Sequence, residues 1–256
     1  MARMWTTAAV LAALWLGASC STAHSAELTV YTEHYPPYNF IGKDGTVEGV
    51  STARVRKVLD AAGLDYEIVL LPWSRAVLFA TSRDNTLIYT ITRTPEREVS
   101  YDWLVPLAQP HFYLYARADD YRDITDSDLR AGKYTAACVS GDLSCDILGW
   151  AGVPPQNVTT ITDSGTGDFR LVLAGRADLY VSSAAANVRL RQSEGFRPDV
   201  TKPVRAVGGT VGFYLAAGRQ VSPEVRKAIR ESYERLLEAG EYNEISAEEV
   251  SDPSNP

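Results

Sequence analysis

Cysteine and histidine are scarce in this chain of 256 residues, with three of each. Beyond residue 26 only Cys138, Cys145, His34 and His111 remain, and neither histidine sits at ligand spacing from the cysteines. That argues against a Cys/His metal site, and no cofactor is expected. No internal segment approaches the roughly 20 apolar residues that a helix needs to cross a bilayer. A Gly-x-Ser-x-Gly elbow, a Walker loop and a His-Glu-x-x-His pair are all missing. Gly165-Thr166-Gly167 starts like a dinucleotide loop, but Phe169-Arg170 stands where a third glycine belongs. Solenoid-period repeats and low-complexity blocks are absent too. Without a nucleophile, a metal cluster or a phosphate loop, the sequence favours a binding protein over an enzyme.

The first 26 residues read as a secretory leader. Arg3 gives the positive start, Ala8 to Ala18 is a short apolar run, and small residues follow. Cleavage after Ser25 or Ala26 suits this order, which places the protein in the periplasm. Lipidation at Cys20 competes with it, although Leu16 stands four residues before that cysteine rather than three. Arg3 is the only formal charge in the leader, so the remainder sets 24 basic residues against 32 acidic, a balance of −8. Such a surface argues against nucleic acid and anionic membrane as partners. It leaves a small solute open, and the protein is expected to be a monomer. In an oxidising compartment Cys138 and Cys145 can close a small disulfide loop; two buried thiols are the alternative.

From residue 27 onward strands and helices alternate. Strands are expected at Leu28–Thr32, Tyr66–Leu71 and Thr86–Thr92, with helices at Ser51–Ala62, stopped by Gly63, and at Trp73–Arg83. Phe112–Arg117 and Val211–Ala217 look like a matched pair of strands crossing between lobes. Strands at 134–139, 158–161 and 177–181, with helices after Gly141 and from Asp168, form a second region. Ser222-Pro223-Glu224 starts a last helix, with Ser as cap and Pro at the first helical position. Val225, Ile229, Ser232, Leu236 and Leu237 are its expected packing face. The β-α-β order implies mainly parallel sheets flanked by helices. The expected fold is α/β and two-lobed: 27–111 with 217–250 as the first lobe, 112–216 as the second, and 251–256 as a frayed tail. Ligands of such sheets bind beyond the carboxyl ends of strands and between lobes.

Four segments fall at those ends: Glu33-His34-Tyr35-Pro36-Pro37-Tyr38, Pro72-Trp73-Ser74-Arg75-Ala76, Thr90 to Arg97, and Ser140-Gly141-Asp142. In this order and spacing they resemble the family-3 extracellular solute-binding proteins, the type II periplasmic-binding-protein fold of polar-amino-acid receptors. The stretch Thr92-Arg93-Thr94-Pro95-Glu96-Arg97-Glu98 is the most specific part of the likeness.

The resemblance implies a hinged binder that serves an ABC transporter or a membrane sensor. It implies that Tyr35 and Trp73 are aromatic walls, and that Tyr89, Thr90 and Thr92 present backbone and hydroxyl groups to a ligand carboxylate. Arg97 matches the carboxylate clamp, a role suited to a guanidinium fork; pairing with Glu96 or Glu98 is its plainer alternative. Arg75 and Arg93 divide evenly between cleft and solvent. Gly141 and Asp142 open a helix where backbone N–H groups face an anion, although Asp142 also suits a helix cap. Ser183 stands where the amino-acid receptors carry an acid for the ligand's ammonium, and a serine cannot neutralise that charge. The expected ligand is therefore a small polar, carboxylate-bearing solute. Periplasmic dehydratases of prephenate or arogenate share the scaffold, and in that catalytic reading Glu33 or Asp142 is the acid.

Overall fold

The computed structural model describes residues 28–162, 165–207, 211–243 and 245–246. The leader with Cys20, the 251–256 tail and residues 163–164 and 208–210 lie outside them. The apolar strand β1 (Leu28–Thr32) is followed by a small hairpin, β2 (Phe40–Ile41) and β3 (Val47–Glu48). Next come α1 (Val50–Ala61), β4 (Tyr66–Leu70), α2 (Trp73–Ser82), β5 (Thr86–Thr92) and β6 (Tyr101–Gln109). Gly63 stops α1 as expected. It takes φ +66°, open to glycine at no steric cost. Its N–H reaches Asp60 O at 3.0 Å and Leu64 N–H reaches Leu59 O at 3.2 Å, which satisfies two end carbonyls.

The chain then enters a second sheet through β7 (Phe112–Arg117), α3 (Asp126–Arg130), β8 (Ala136–Val139) and α4 (Leu143–Trp150). β9 (Val158–Ile161), α5 (Gly167–Leu173), β10 (Leu179–Ser183), α6 (Ala184–Ser193) and β11 (Thr201–Ala206) complete it. It returns through β12 (Phe213–Gly218), α7 (Pro223–Glu238) and β13 (Ile245–Ser246). The first sheet runs β13-β6-β12-β5-β1-β4 and the second β11-β7-β10-β8-β9. β1 pairs in parallel with β4 and β5, and β8 with β9 and β10. The fold is thus α/β with two sheets flanked by helices.

The two passages between sheets run side by side. β6 and β12 pair antiparallel on one side, β7 and β11 on the other, and Val207 N–H bonds Phe112 O at 2.9 Å between them. Residues 213–216, expected in the second lobe, belong to the first sheet, because β12 pairs with β5 and β6 there.

Strands β6 and β11 and helix α6 are among the elements not anticipated from sequence. β6 contains Pro106 and β11 contains Pro203, and proline interrupts a ladder. Both are accommodated at register irregularities, opposite Tyr214 and beside Arg205. Helix α6 (AAANVRLRQS) lacks a continuous apolar stripe. On α7 the packing face is narrower than expected. Ile229 and Ser232 are buried, with the Ser232 hydroxyl donating to Val58 O at 2.8 Å, while Leu237 is 49% exposed. At 3.6 residues per turn, Leu237 is rotated about 100° beyond Leu236. Among the described residues no helix is long and apolar enough to cross a membrane.

Candidate functional site between the sheets

The carboxyl ends of β1, β5 and β8 and the helix starts beside them meet in one cavity. It holds about 870 Å³ of space, its open mouth included. From the first sheet, Glu33 and Tyr35 follow β1, Trp73 opens α2, and Thr90 and Thr92 come from β5. The 3-10 turn Pro95–Arg97 adds Arg97. The second sheet contributes Asp142 before α4, Asp168 on the first turn of α5, and Tyr180 and Ser182 from β10.

Arg97 is held by one carbonyl from each side. Its Nη1 donates to Thr92 O at 3.0 Å and its Nη2 to Gly141 O at 2.8 Å, and the guanidinium carbon lies 5.7 Å from the centroid of the Trp73 ring. Trp73 Nε1 donates to the same Gly141 O at 2.8 Å. Gly141 takes φ +72°, a left-handed turn suited to glycine. One second-lobe carbonyl therefore accepts two donors from the first lobe and latches the cleft. Among the described residues Arg97 forms no ion pair. Glu98 pairs instead with the exposed Arg93, Nε to Oε1 at 2.7 Å, and Arg75 is exposed as well.

The loop bearing Gly141 is fixed from beneath. A disulfide joins Cys138, in β8, to Cys145, in α4. Within that loop Asp142 caps α4, accepting from Ser144 N–H at 2.8 Å. Its own carboxylate thus fills the seat that the α4 N-terminus offers an anion.

The cavity's charge is set by Glu33, Asp142 and Asp168 against Arg97. Glu33 is only 9% exposed, and the pKa of its carboxyl is raised well above the ordinary 4.5. Burial is the main cause, reinforced by Asp142 and Asp168 and opposed by Arg97. Burial also lowers the pKa of His34, so that ring resists protonation. Thr90 sits at φ +58°, unusual for a β-branched residue. It lies where the β5–β12 register shifts. Its hydroxyl is buried, lines the cavity and has no hydrogen-bond partner among the described residues.

Of the residues picked from sequence, Tyr35, Trp73, Thr90, Thr92, Arg97 and Asp142 line this cavity. Gly141 supplies the latch carbonyl. Tyr89 points the other way: its hydroxyl meets Thr52 Oγ1 at 2.8 Å in the first-lobe core. Ser183 is buried and caps α6, accepting from Ala186 N–H at 3.2 Å, while Ser182 one residue earlier lines the cavity. Strand alternation explains that exchange, since neighbours point to opposite faces. Asp168, Tyr180, Phe112 and Phe213 also line it and were not anticipated. The two phenylalanines open the strands recognised as crossings, which was the available signal. Asp168 carried none beyond its place at a helix start.

The family model for bacterial extracellular solute-binding proteins, family 3, matches residues 28–250. The chain belongs to that family. A comparison with curated protein sequences returned no match. Among solved structures, a histidine kinase sensor domain with similarity to periplasmic binding proteins is 20% identical, with a TM-score of 0.73 over 85% of this chain and 92% of that one. An ancestral arginine-binding protein bound to arginine is 19% identical, TM-score 0.71, over 84% and 94%. The arginine-, lysine-, histidine-binding protein ArtJ from Geobacillus stearothermophilus is 17% identical, TM-score 0.68, over 84% and 91%. These likenesses fix the fold, two lobes with a cleft between them, and the cavity of this family-3 chain occupies that cleft.

Proposed function

We propose that this protein captures a small polar solute in the periplasm, closing its two lobes around it, and delivers it to an ABC permease or reports it to a membrane sensor. The observation that carries the reading is Arg97, anchored to Thr92 O on one side and Gly141 O on the other at the rim of a common cavity. A guanidinium has five N–H donors. Two are engaged here, which leaves three for a ligand carboxylate. A solute that engages Arg97 and the second lobe together gains contacts only in the closed form, and that difference drives closure. Aromatic walls at Tyr35 and Trp73 suit a planar or cationic body. The ligands named for the arginine-binding neighbours support an amino-acid-like solute, and the sensor-domain neighbour supports a membrane client.

Titration calorimetry of wild type and Arg97→Ala tests this. A charge-assisted interaction worth about 3 kcal/mol predicts a roughly 100-fold loss of affinity for carboxylate ligands. Unchanged affinity removes the clamp.

One observation favours a second, catalytic reading: Glu33, inclined to keep its proton, shares the cavity with Arg97, as a general acid beside a carboxylate clamp would. Incubation with prephenate decides it. Conversion to phenylpyruvate, carbon dioxide and water supports catalysis, and intact prephenate removes it.

A further inference from the structure

Beyond the groups around Arg97 the cavity continues along one helix of the second lobe. Ala186, Leu190 and Ser193 of α6 line it, spaced four and then three residues apart and so on one helix face. At about 1.5 Å per residue, the wall from Ala186 to Ser193 is about 10 Å long. Gly165, Thr166 and Asp168, which lead into α5, complete the lining on this side. The end of α6 adjoins the start of α5. Arg170 Nη2 meets Glu194 Oε2 at 2.6 Å, and the rings of Phe169 and Phe196 lie 5.5 Å apart. Ser193 is exposed, so this arm opens to solvent there. A helix with part of its inner face on a cavity needs no continuous apolar stripe, which accounts for the α6 sequence AAANVRLRQS.

The walls of this arm are short of charge. Ala186 and Leu190 are apolar, Thr166 and Ser193 bring hydroxyls, and Asp168 is the one formal charge among the described residues named above as its lining. One carboxylate oxygen of Asp168 already accepts from Phe169 N–H at 2.8 Å. Tyr180 lines the cavity too, but its hydroxyl is taken up by Thr201 Oγ1 at 3.3 Å and by Asn187 Nδ2. A charged group laid along Ala186 and Leu190 would lose solvation without a partner, whereas an alkyl chain gains by burial there. The space is ample: about 870 Å³, mouth included, lies toward the upper end of the roughly 300–1,000 Å³ of pockets that bury drug-sized ligands.

We propose that the arm along α6 is a subsite for an uncharged chain, so that the ligand is a carboxylate with its head at Arg97 and a slender acyl tail running past Ala186 and Leu190 toward Ser193. This deepens the solute-binding reading and rests on it. N-acyl amino acids are the class that fits. Their nitrogen carries no charge, and their amide offers a hydrogen bond to the Thr90 hydroxyl, which is buried in the cavity wall without a partner among the described residues.

Calorimetry on the intact protein with N-acylglycines bearing acetyl, butanoyl, hexanoyl and octanoyl chains tests this. Each keeps one carboxylate for Arg97 and lengthens only the uncharged tail. The expected result is affinity that rises roughly two- to fourfold per added methylene and levels once the chain passes Ser193. Leu190→Trp should flatten that dependence. Ser193→Trp, at an exposed position that tolerates the larger side chain, should make the affinity level at a shorter chain and carries the test should Leu190→Trp fail to fold. Affinity independent of chain length overturns the subsite. So does the same gain with the same levelling point in wild type and the folded variants. A cleft that binds free amino acids or other small carboxylates and refuses the acylglycines overturns it as well, while the solute-binding reading stands. If no amino acid, amine or small acid binds either, both fall.

Discussion

Glu33 concentrates the tension of the site in one carboxyl. Its folded pKa is raised above the ordinary 4.5, so its contribution to stability is complete below that value and is lost as pH rises through the folded pKa. One proton bound by the folded state alone gives a slope of at most about 1.4 kcal/mol per pH unit. Glu33→Gln removes the ionising group. Melting curves of the ligand-free proteins should then converge at acidic pH, with the variant the more stable near neutrality; parallel curves would place the burial penalty elsewhere. Sequence legibility was uneven at this scale. Arg97 and Trp73 could be read because each follows a proline-marked strand end inside a specific run of residues. Asp168 could not, because an acid at a helix start looks like an ordinary cap. The exchange between Ser182 and Ser183 depended on strand phase, which a one-residue shift reverses.

Among the elements, the loop from β8 to α4 links covalent structure to the site. The Cys138–Cys145 disulfide closes over residues 139–144, whose Gly141 carbonyl latches the cleft. Replacing both cysteines by serine should lower stability by about 2 kcal/mol and weaken ligand binding as well, because Gly141 O is then less firmly placed. A lower melting temperature with unchanged affinity would confine the bridge to a structural part. On α7 the Ser222 hydroxyl accepts from Val225 N–H at 3.3 Å. Ser222→Ala should cost about 1 kcal/mol in denaturant unfolding without touching ligand affinity. Strands with clean apolar runs, such as Phe112–Arg117 and Thr86–Thr92, were legible to the residue. β6 and β11 were hidden by prolines that register shifts absorb. Helix α6 was hidden because helical periodicity gave it no apolar stripe.

At the scale of the whole molecule, two side-by-side crossings join the sheets, and Gly141 O accepts two donors from across the cleft. Trp73→Phe keeps an aromatic ring but replaces the indole, deleting one of the two donors. The loss of about 1 kcal/mol predicts roughly fivefold weaker binding, read by calorimetry. The lobed plan was visible in sequence because two stretches of similar character bracket the second α/β run. The return boundary lay a few residues off because β12 belongs to the first sheet from Phe213 onward. The central claim is that a small solute binds in the cleft with Arg97 as its clamp. A melting-temperature panel of amino acids, amines and small carboxylic acids, run on wild type and Arg97→Ala, tests it most directly. A true ligand at 100 times its Kd adds about 2.7 kcal/mol, which for a chain of this size is a rise of about 5–10 °C. The account predicts such a rise for at least one compound in wild type and its loss in the variant; a flat response across the panel, or an equal rise in both proteins, would contradict it.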